Sequence, residues 1–370
     1  MRKYTGAVLY KNLVFKGGGV KVLYSVGAME ALEERDVLHS IERVAGVSSG
    51  AVLALLTAIG MDVKEMRDFF LEIPFAEEVD AVCLPEETNR FFEEYGRYTG
   101  DKLLGRLRDL LEEKCGSSDI TFAEMHDLGF RDLYVFATDV TNKKLVQYSW
   151  EDTPDYSVVD AVRASASYPF YFVPCRGPNG ELLVDGGLLD NYPLWLFDQP
   201  QFLSNPDAKY NEETLAIHIG TCEEQQTLWS HKDLVFMMQL FNDMHADTIF
   251  EKVKDLDFSQ VASKADAYHD LLGYLICIFD AGKLAPPRYH HPNFAGEISI
   301  DTNFVSSNGR VLTTFDLDLS EEVRCELMDH GRKEAHKFFE KECLLGTEFC
   351  YPLGDPAQHD LLSGVGSELV

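Results

Sequence analysis

Basic residues are scarce in this chain. The 33 Lys and Arg stand against 62 Asp and Glu, a net charge of −29 over 370 residues. Phosphate backbones need a basic surface, so this balance argues against nucleic-acid binding. It equally argues against adsorption to an anionic membrane by charge alone. Long apolar runs are missing too. The longest, near 51–61 and 271–279, fall short of the roughly 20 residues that a membrane span requires. Arg2 and Lys3 precede an apolar stretch that Lys11 interrupts, which is not a signal-peptide pattern. Asn-x-Ser/Thr sequons are absent. The eight cysteines (83, 115, 175, 222, 277, 325, 343, 350) show no spacing suited to a metal site and read as buried free thiols of a reducing compartment. No Cys/His cluster or calcium-loop spacing occurs, so neither metal nor cofactor is expected. The expectation is a cytoplasmic chain that meets membranes, if at all, from outside.

What is present is apolar mass and three glycine motifs. With 45% apolar residues the chain can bury a large core. Gly46-Val47-Ser48-Ser49-Gly50 lies between a strand over 41–45 and a helix over 51–58. Gly-x-Ser-x-Gly at a strand-to-helix turn is the nucleophile-elbow pattern. Ser48 would sit at the apex of a tight turn, and Gly46 and Gly50 supply neighbours without side chains. The following helix aims free N–H groups and a positive dipole end at that hydroxyl. Alone, five small residues also describe an ordinary turn.

Upstream, Lys16-Gly17-Gly18-Gly19-Val20-Lys21 follows a short strand (Leu13-Val14-Phe15) and opens a helix over 20–35. Three glycines can turn their N–H groups into one concavity, an oxyanion hole or an anion nest. Downstream, Val184-Asp185-Gly186-Gly187 ends a strand-like segment. Each motif is common; their order is not.

In that order they resemble the patatin-like phospholipases, lipid acyl hydrolases with a Ser–Asp dyad. The block Ala161 to Pro174, with Ala164-Ser165, Pro169, Phe172 and Pro174, also resembles the family, as do Asn191, Pro193, the segment 136–140 and the strand 300–302. The resemblance runs from about residue 8 to about residue 340. It implies Ser48 as nucleophile, Asp185 as its base, and the N–H groups of Gly17, Gly18 and Gly19 as oxyanion hole. Gly186 and Gly187 would let the loop bring Asp185 to the elbow. Many members carry Arg where this chain has Lys21 and Gly where it has Val22. Lys21 keeps the charge, as a possible substrate or anion contact, but lacks the planar fork. The implied substrates are glycerophospholipids or acylglycerols, reached by peripheral membrane contact or through a protein activator.

The expected fold is a three-layer α/β sandwich with a mainly parallel sheet, forming one domain over 8–345. Residues 62–130 read as a helical insertion, 226–345 as a largely helical C-terminal part, and 346–370 as a loose tail. Phe69 to Phe75 is a candidate lid or membrane contact, or else a helix packed over the sheet. Tyr168, Phe170, Tyr171 and Phe172 read as an aromatic turn that is core or lines an acyl pocket. Methionines over 237–244 and the run 271–279 are further candidates for lipid contact.

Three other readings share parts of this pattern. An α/β-hydrolase triad would use a late histidine such as His290, His291, His330 or His336, though Asp-Gly-Gly would then have no role. A dinucleotide site fails because Val22 replaces the last glycine of its fingerprint. A non-catalytic lipid-binding scaffold would not need Ser48 and Asp185.

Overall fold

The computed structural model describes residues 9–75, 84–220 and 296–344, together with Ile278. In chain order the elements are β1 (Asn12–Phe15), α1 (Val22–Glu34), β2 (Arg43–Val47), α2 (Ser49–Ala58), α3 (Val63–Glu72), α4 (Leu84–Glu94) and β3 (Gly96–Tyr98). Then come α5 (Asp101–Cys115), α6 (Phe122–Asp127), β4 (Asp132–Asp139), β5 (Lys144–Tyr148), α7 (Val158–Ser165) and β6 (Phe170–Phe172). The last are β7 (Cys175–Arg176), β8 (Leu182–Asp185), β9 (Thr214–Gly220), β10 (Glu297–Asp301) and α8 (Glu321–Leu344).

The central sheet is α/β in kind and mainly parallel. Its order is β10-β9-β1-β2-β4-β8-β7, with β5 also paired to β4. The five strands from β10 to β4 run parallel, β5 and β8 pair antiparallel with β4, and β7 pairs antiparallel with β8. Parallel strands covered on both faces need continuous apolar sequence, and Leu13-Val14-Phe15, Leu133 to Ala137 and Leu215 to Ile217 supply it; all are buried. Leu13, Phe15 and Ile217 face the main core with α1, α2 and α7. Val14, Val47, Tyr134 and Ala216 face the other way, onto Leu196, Phe197 and Phe202 from short 3-10 turns. Tyr134 meets Phe197 and Phe202 edge-on at 5.6 Å, a favoured aromatic geometry.

Helix α1 is buried nearly all round, because α8 covers the flank turned away from the sheet. A Cβ at Gly27 would lie 1.7 Å from the Met328 carbonyl oxygen, and one at Gly331 would lie 1.9 Å from that of Tyr24. Glycine on both helices is what admits so close a crossing. Ser320 starts α8 by accepting the Val323 N–H at 3.3 Å, an N-cap.

The candidate lid over 69–75 is packed down instead. Phe70 and Ile73 are buried. The Arg324 guanidinium donates to the carbonyls of Leu71 (2.9 Å) and Ile73 (2.5 Å) and stacks over Phe75 at 4.9 Å. In α5, Leu107 and Leu111 join the core. The aromatic turn after α7 contains a strand: β6 pairs in parallel with β3 in a separate two-stranded sheet. Of the remaining candidates, 237–244, the run 271–279 apart from Ile278, and the tail from 346 lie outside the described residues. Among the described residues, no helix is long and apolar enough to cross a membrane.

Candidate active site

Strand β2 ends at Val47 and α2 begins at Ser49, which leaves Ser48 as the one-residue corner. Its backbone sits at φ 58° and ψ −131°. Side chains rarely occupy that region, and holding one there costs about 1–3 kcal/mol. The corner is tight enough to exclude side chains on either flank. A Cβ at Gly46 would stand 2.2 Å from the Gly50 carbonyl oxygen, and one at Gly50 would stand 2.7 and 2.8 Å from the carbonyl oxygens of Phe15 and Lys16. Ser48 is half-buried.

The glycine loop wraps against this corner. A Cβ on Gly17 would come within 2.9 Å of Ser48 Cβ, 2.8 Å of the Val47 carbonyl oxygen and 2.2 Å of Asn191 Oδ1. Asn191 holds Gly17 from both sides: its Nδ2 donates to the Gly17 carbonyl at 3.1 Å, and its own carbonyl accepts the Gly17 N–H at 3.3 Å. The Gly18 N–H donates to Ser49 Oγ at 3.1 Å. The three glycines therefore differ. Gly17 is buried and its N–H is turned to protein, whereas Gly18 and Gly19 are half-exposed. Backbone N–H groups seek acceptors, and Ser49 Oγ supplies one to Gly18.

Sheet pairing brings Asp185 to the same corner. On one edge of β4, Val47 pairs with Phe136. On the opposite edge, Phe136 and Ala137 pair with β5. Asp185 pairs with Ala137, so β8 shares the edge of β2 and begins where β2 stops. Val47 and Asp185 thus face consecutive residues of one strand. A Cβ at Gly186 would lie 2.4 Å from the Phe136 carbonyl oxygen and 3.0 Å from Val47 Cγ1. Asp185 is buried at 3% exposure, and its Oδ1 accepts the Gly187 N–H at 2.7 Å. A Cβ at Gly187 would meet Asn191 Oδ1 at 2.8 Å and Asp185 Oδ1 at 3.0 Å. Asn191 therefore touches both the glycine loop beside Ser48 and the turn after Asp185.

One short segment ties the two halves together. The Ser48 N–H donates to Ser165 Oγ at 2.9 Å, and the Asp185 N–H donates to the Ser167 carbonyl at 2.9 Å. Ser165 and Ser167 are fully buried at the end of α7. Arg163 fixes that end: Nη1 donates to Ser167 Oγ at 2.5 Å and Nη2 to the carbonyl of Thr99.

The sequence profile of the patatin-like phospholipases matches residues 13–198, the stretch that holds all of these groups. The chain belongs to the patatin-like phospholipase family. Among its relatives, YqhO of Bacillus subtilis is 33% identical over 205 residues, covering 52% of this chain and 68% of that protein. The probable lipid hydrolase 463L of Invertebrate iridescent virus 6 is 28% identical over 185 residues, covering 50% of this chain and 62% of that one. The crystal structure of VipD from Legionella pneumophila aligns over 90% of this chain and 67% of that one, at 18% identity and TM-score 0.49. The matches span about three fifths to two thirds of the length of the first curated relatives.

The remaining candidates of this patatin-like chain sort by position. Lys21 is buried at the start of α1, its N–H bonded to the Gly18 carbonyl at 3.2 Å. His330 and His336 lie on α8. The first stands 3.1 Å from the Asp301 carbonyl oxygen and the second 2.9 Å from Glu34, so neither serves Ser48 here. His290 and His291 lie outside the described residues. Among the described residues, no group of three His, Cys, Asp or Glu is arranged to hold a metal ion. Sequence reasoning gave no role to Ser49, Ser165 or Ser167, and it used Asn191 only as a likeness. Small hydroxyl residues signal nothing until the fold shows which N–H they accept.

Proposed function

We propose that this protein is a lipid acyl hydrolase of phospholipase A or lysophospholipase type, cleaving carboxylic esters of glycerophospholipids or acylglycerols. The observation that carries the reading is the placement of Asp185 directly beyond the end of β2, against the strained corner that presents Ser48. Asp185 takes the Ser48 proton as Oγ attacks the ester carbonyl. The oxyanion is met by the N–H groups of Gly18 and Gly19; the Gly17 N–H, expected from the resemblance to join them, is held by the Asn191 carbonyl instead. Gly18 exchanges Ser49 Oγ for a charged acceptor, a stronger hydrogen bond, and Gly17 provides the closest approach to Ser48. Collapse of the tetrahedral intermediate expels the alcohol, which takes the proton from Asp185, and leaves an acyl group on Ser48. Water, deprotonated by Asp185, then attacks the acyl carbonyl; the acyl–Oγ bond breaks, the fatty acid leaves, and Ser48 Oγ takes the proton back from Asp185. Preorganised donors of this kind are worth about 10²–10³-fold each. No cofactor is required by this scheme.

The name of 463L, probable lipid hydrolase, supports the substrate class. The charge of −29 disfavours unassisted docking on anionic lipid. That charge favours contact aided by apolar loops, a divalent bridge or a protein activator, and the proposed setting is peripheral on the cytoplasmic side of a membrane. Wild type and Ser48→Ala are to be compared on phosphatidylcholine vesicles and on a soluble ester, with an organophosphonate as active-site label. The expected result is a Ser48 adduct by mass spectrometry and no turnover in the variant. An adduct on Ser49, or full turnover by Ser48→Ala, refutes the proposal. Binding to vesicles with no hydrolysis of either substrate would favour a lipid-binding scaffold.

A further inference from the structure

The loop between β10 and α8 lies outside the stretch matched by the family profile, yet it reaches the candidate site. Leu312 and Leu319 are buried and pin its two ends, while residues 314–317 between them are half-buried. The Thr314 carbonyl accepts the Val20 N–H at 3.2 Å. Gly19, at φ 57°, is pressed against the same residue: a Cβ there would stand 2.3 Å from the Thr314 carbonyl oxygen and 2.7 Å from its Cγ2. Thr314 thus rests on the glycine loop itself.

One residue further, the chain touches the other half of the site. The Phe315 ring lies 4.8 Å from that of Tyr168 and 5.3 Å from that of Tyr171. Tyr168 follows Ser167, whose carbonyl holds the Asp185 N–H. Tyr171 belongs to the aromatic cluster that also contains Val184 and Leu188, on either side of Asp185. Thr313 and Asp316 close a tight turn, N–H to Oδ2 at 2.5 Å, that fixes the direction of Phe315. A two-residue step therefore spans the glycine loop and the apolar wall next to Asp185.

An ester held at Ser48 with its carbonyl oxygen on the glycine loop must send its acyl chain away from that loop. Among the described residues this aromatic wall flanks Asp185, and Phe315, next to the Thr314 that touches Gly19, packs on it. We infer that Phe315 is a specificity-determining residue that limits the length of the acyl chain this enzyme accepts. The inference rests on the acyl-hydrolase reading above. Thr314 is the positioning residue that sets Phe315 relative to the glycine loop.

The test is kcat/KM for soluble butyrate and laurate esters of one alcohol, measured on wild type, Phe315→Ala, Phe315→Leu, Phe315→Trp and Phe315→Tyr. Filling or emptying an apolar pocket by a methylene or more shifts discrimination by about tenfold or above. Phe315→Ala is expected to raise the laurate-to-butyrate ratio by about that factor and Phe315→Trp to lower it, with Phe315→Tyr close to wild type. Phe315→Leu, which keeps apolar bulk, reports the same direction as Phe315→Ala if the alanine variant does not fold. A ratio unchanged in all variants of an active enzyme overturns the inference. So does an equal loss on both esters, which marks a purely structural side chain. A wild type that hydrolyses neither ester and takes no phosphonate label overturns the acyl-hydrolase reading, and this inference with it.

Discussion

Removing the Ser165 hydroxyl tests whether the elbow is held by the end of α7. Ser165 Oγ accepts the Ser48 N–H at 2.9 Å in a fully buried site. Ser165→Ala leaves that N–H without its acceptor, which costs about 1–3 kcal/mol. Ser48 already occupies a backbone conformation that stores a similar amount, so the corner relaxes instead of enduring both penalties. The expected loss of stability lowers Tm by about 2–5 °C in a chain of this size. Activity falls further, because displacement of a reacting group by about an ångström costs on the order of 10²-fold. The assay combines thermal melting, kcat/KM on a soluble butyrate ester, and the rate of phosphonate labelling of Ser48. Ser165→Cys, close in volume but a weak acceptor, should fall between wild type and Ser165→Ala. Wild-type turnover and labelling by Ser165→Ala would refute the argument that this bond holds the nucleophile in place.

Four further outcomes are expected. Gly17→Ala places a methyl against the Val47 carbonyl and Ser48 Cβ and should lose about 10²-fold in kcat/KM; Gly18→Ala meets only the Ile219 methyl at 2.8 Å and should lose far less, a contrast read by parallel kinetics. Asp185→Asn should abolish turnover while preserving the melt, whereas no single His→Ala change, including His218 and His330, should cost more than about tenfold, since losing a true general base costs about 10²–10⁴-fold. Burial holds the Glu297 carboxyl above its ordinary value of 4.5, opposed by the Tyr192 hydroxyl bond and the Lys16 charge; a carboxyl raised in the fold loses stability as pH rises through that range, so Glu297→Gln should raise Tm at neutral pH and leave it nearly unchanged below about pH 4. Hydrolysis of the soluble ester should survive EDTA, because the proposed scheme gives the oxyanion to backbone N–H groups; loss of activity restored by added metal would count against the scheme.

The strand through Leu13-Val14-Phe15 and the helices over 20–35 and 51–58 were legible in the sequence because each is decided locally, by an apolar run bounded by glycine. So was the steric demand at Gly46 and Gly50, since a one-residue corner between strand and helix leaves no room beside it. The positions of Ser48 and Asp185 in the sequence say nothing about their separation. Only the antiparallel entry of β8 onto the edge of β4 vacated by β2 makes them neighbours, although Ser48 and Asp185 themselves lie well over a hundred positions apart in the chain. The same holds for Phe69 to Phe75. Phe70 is buried and Phe69 and Phe75 are half-buried, with Arg324, on a helix near the other end of the described chain, satisfying the carbonyls that end α3 and stacking over Phe75. Local chemistry fixes which elements form and which residues can react. Which hydroxyl meets which N–H, and which strap lies over the glycine loop, follows from packing between distant segments, where many weak contacts are satisfied together.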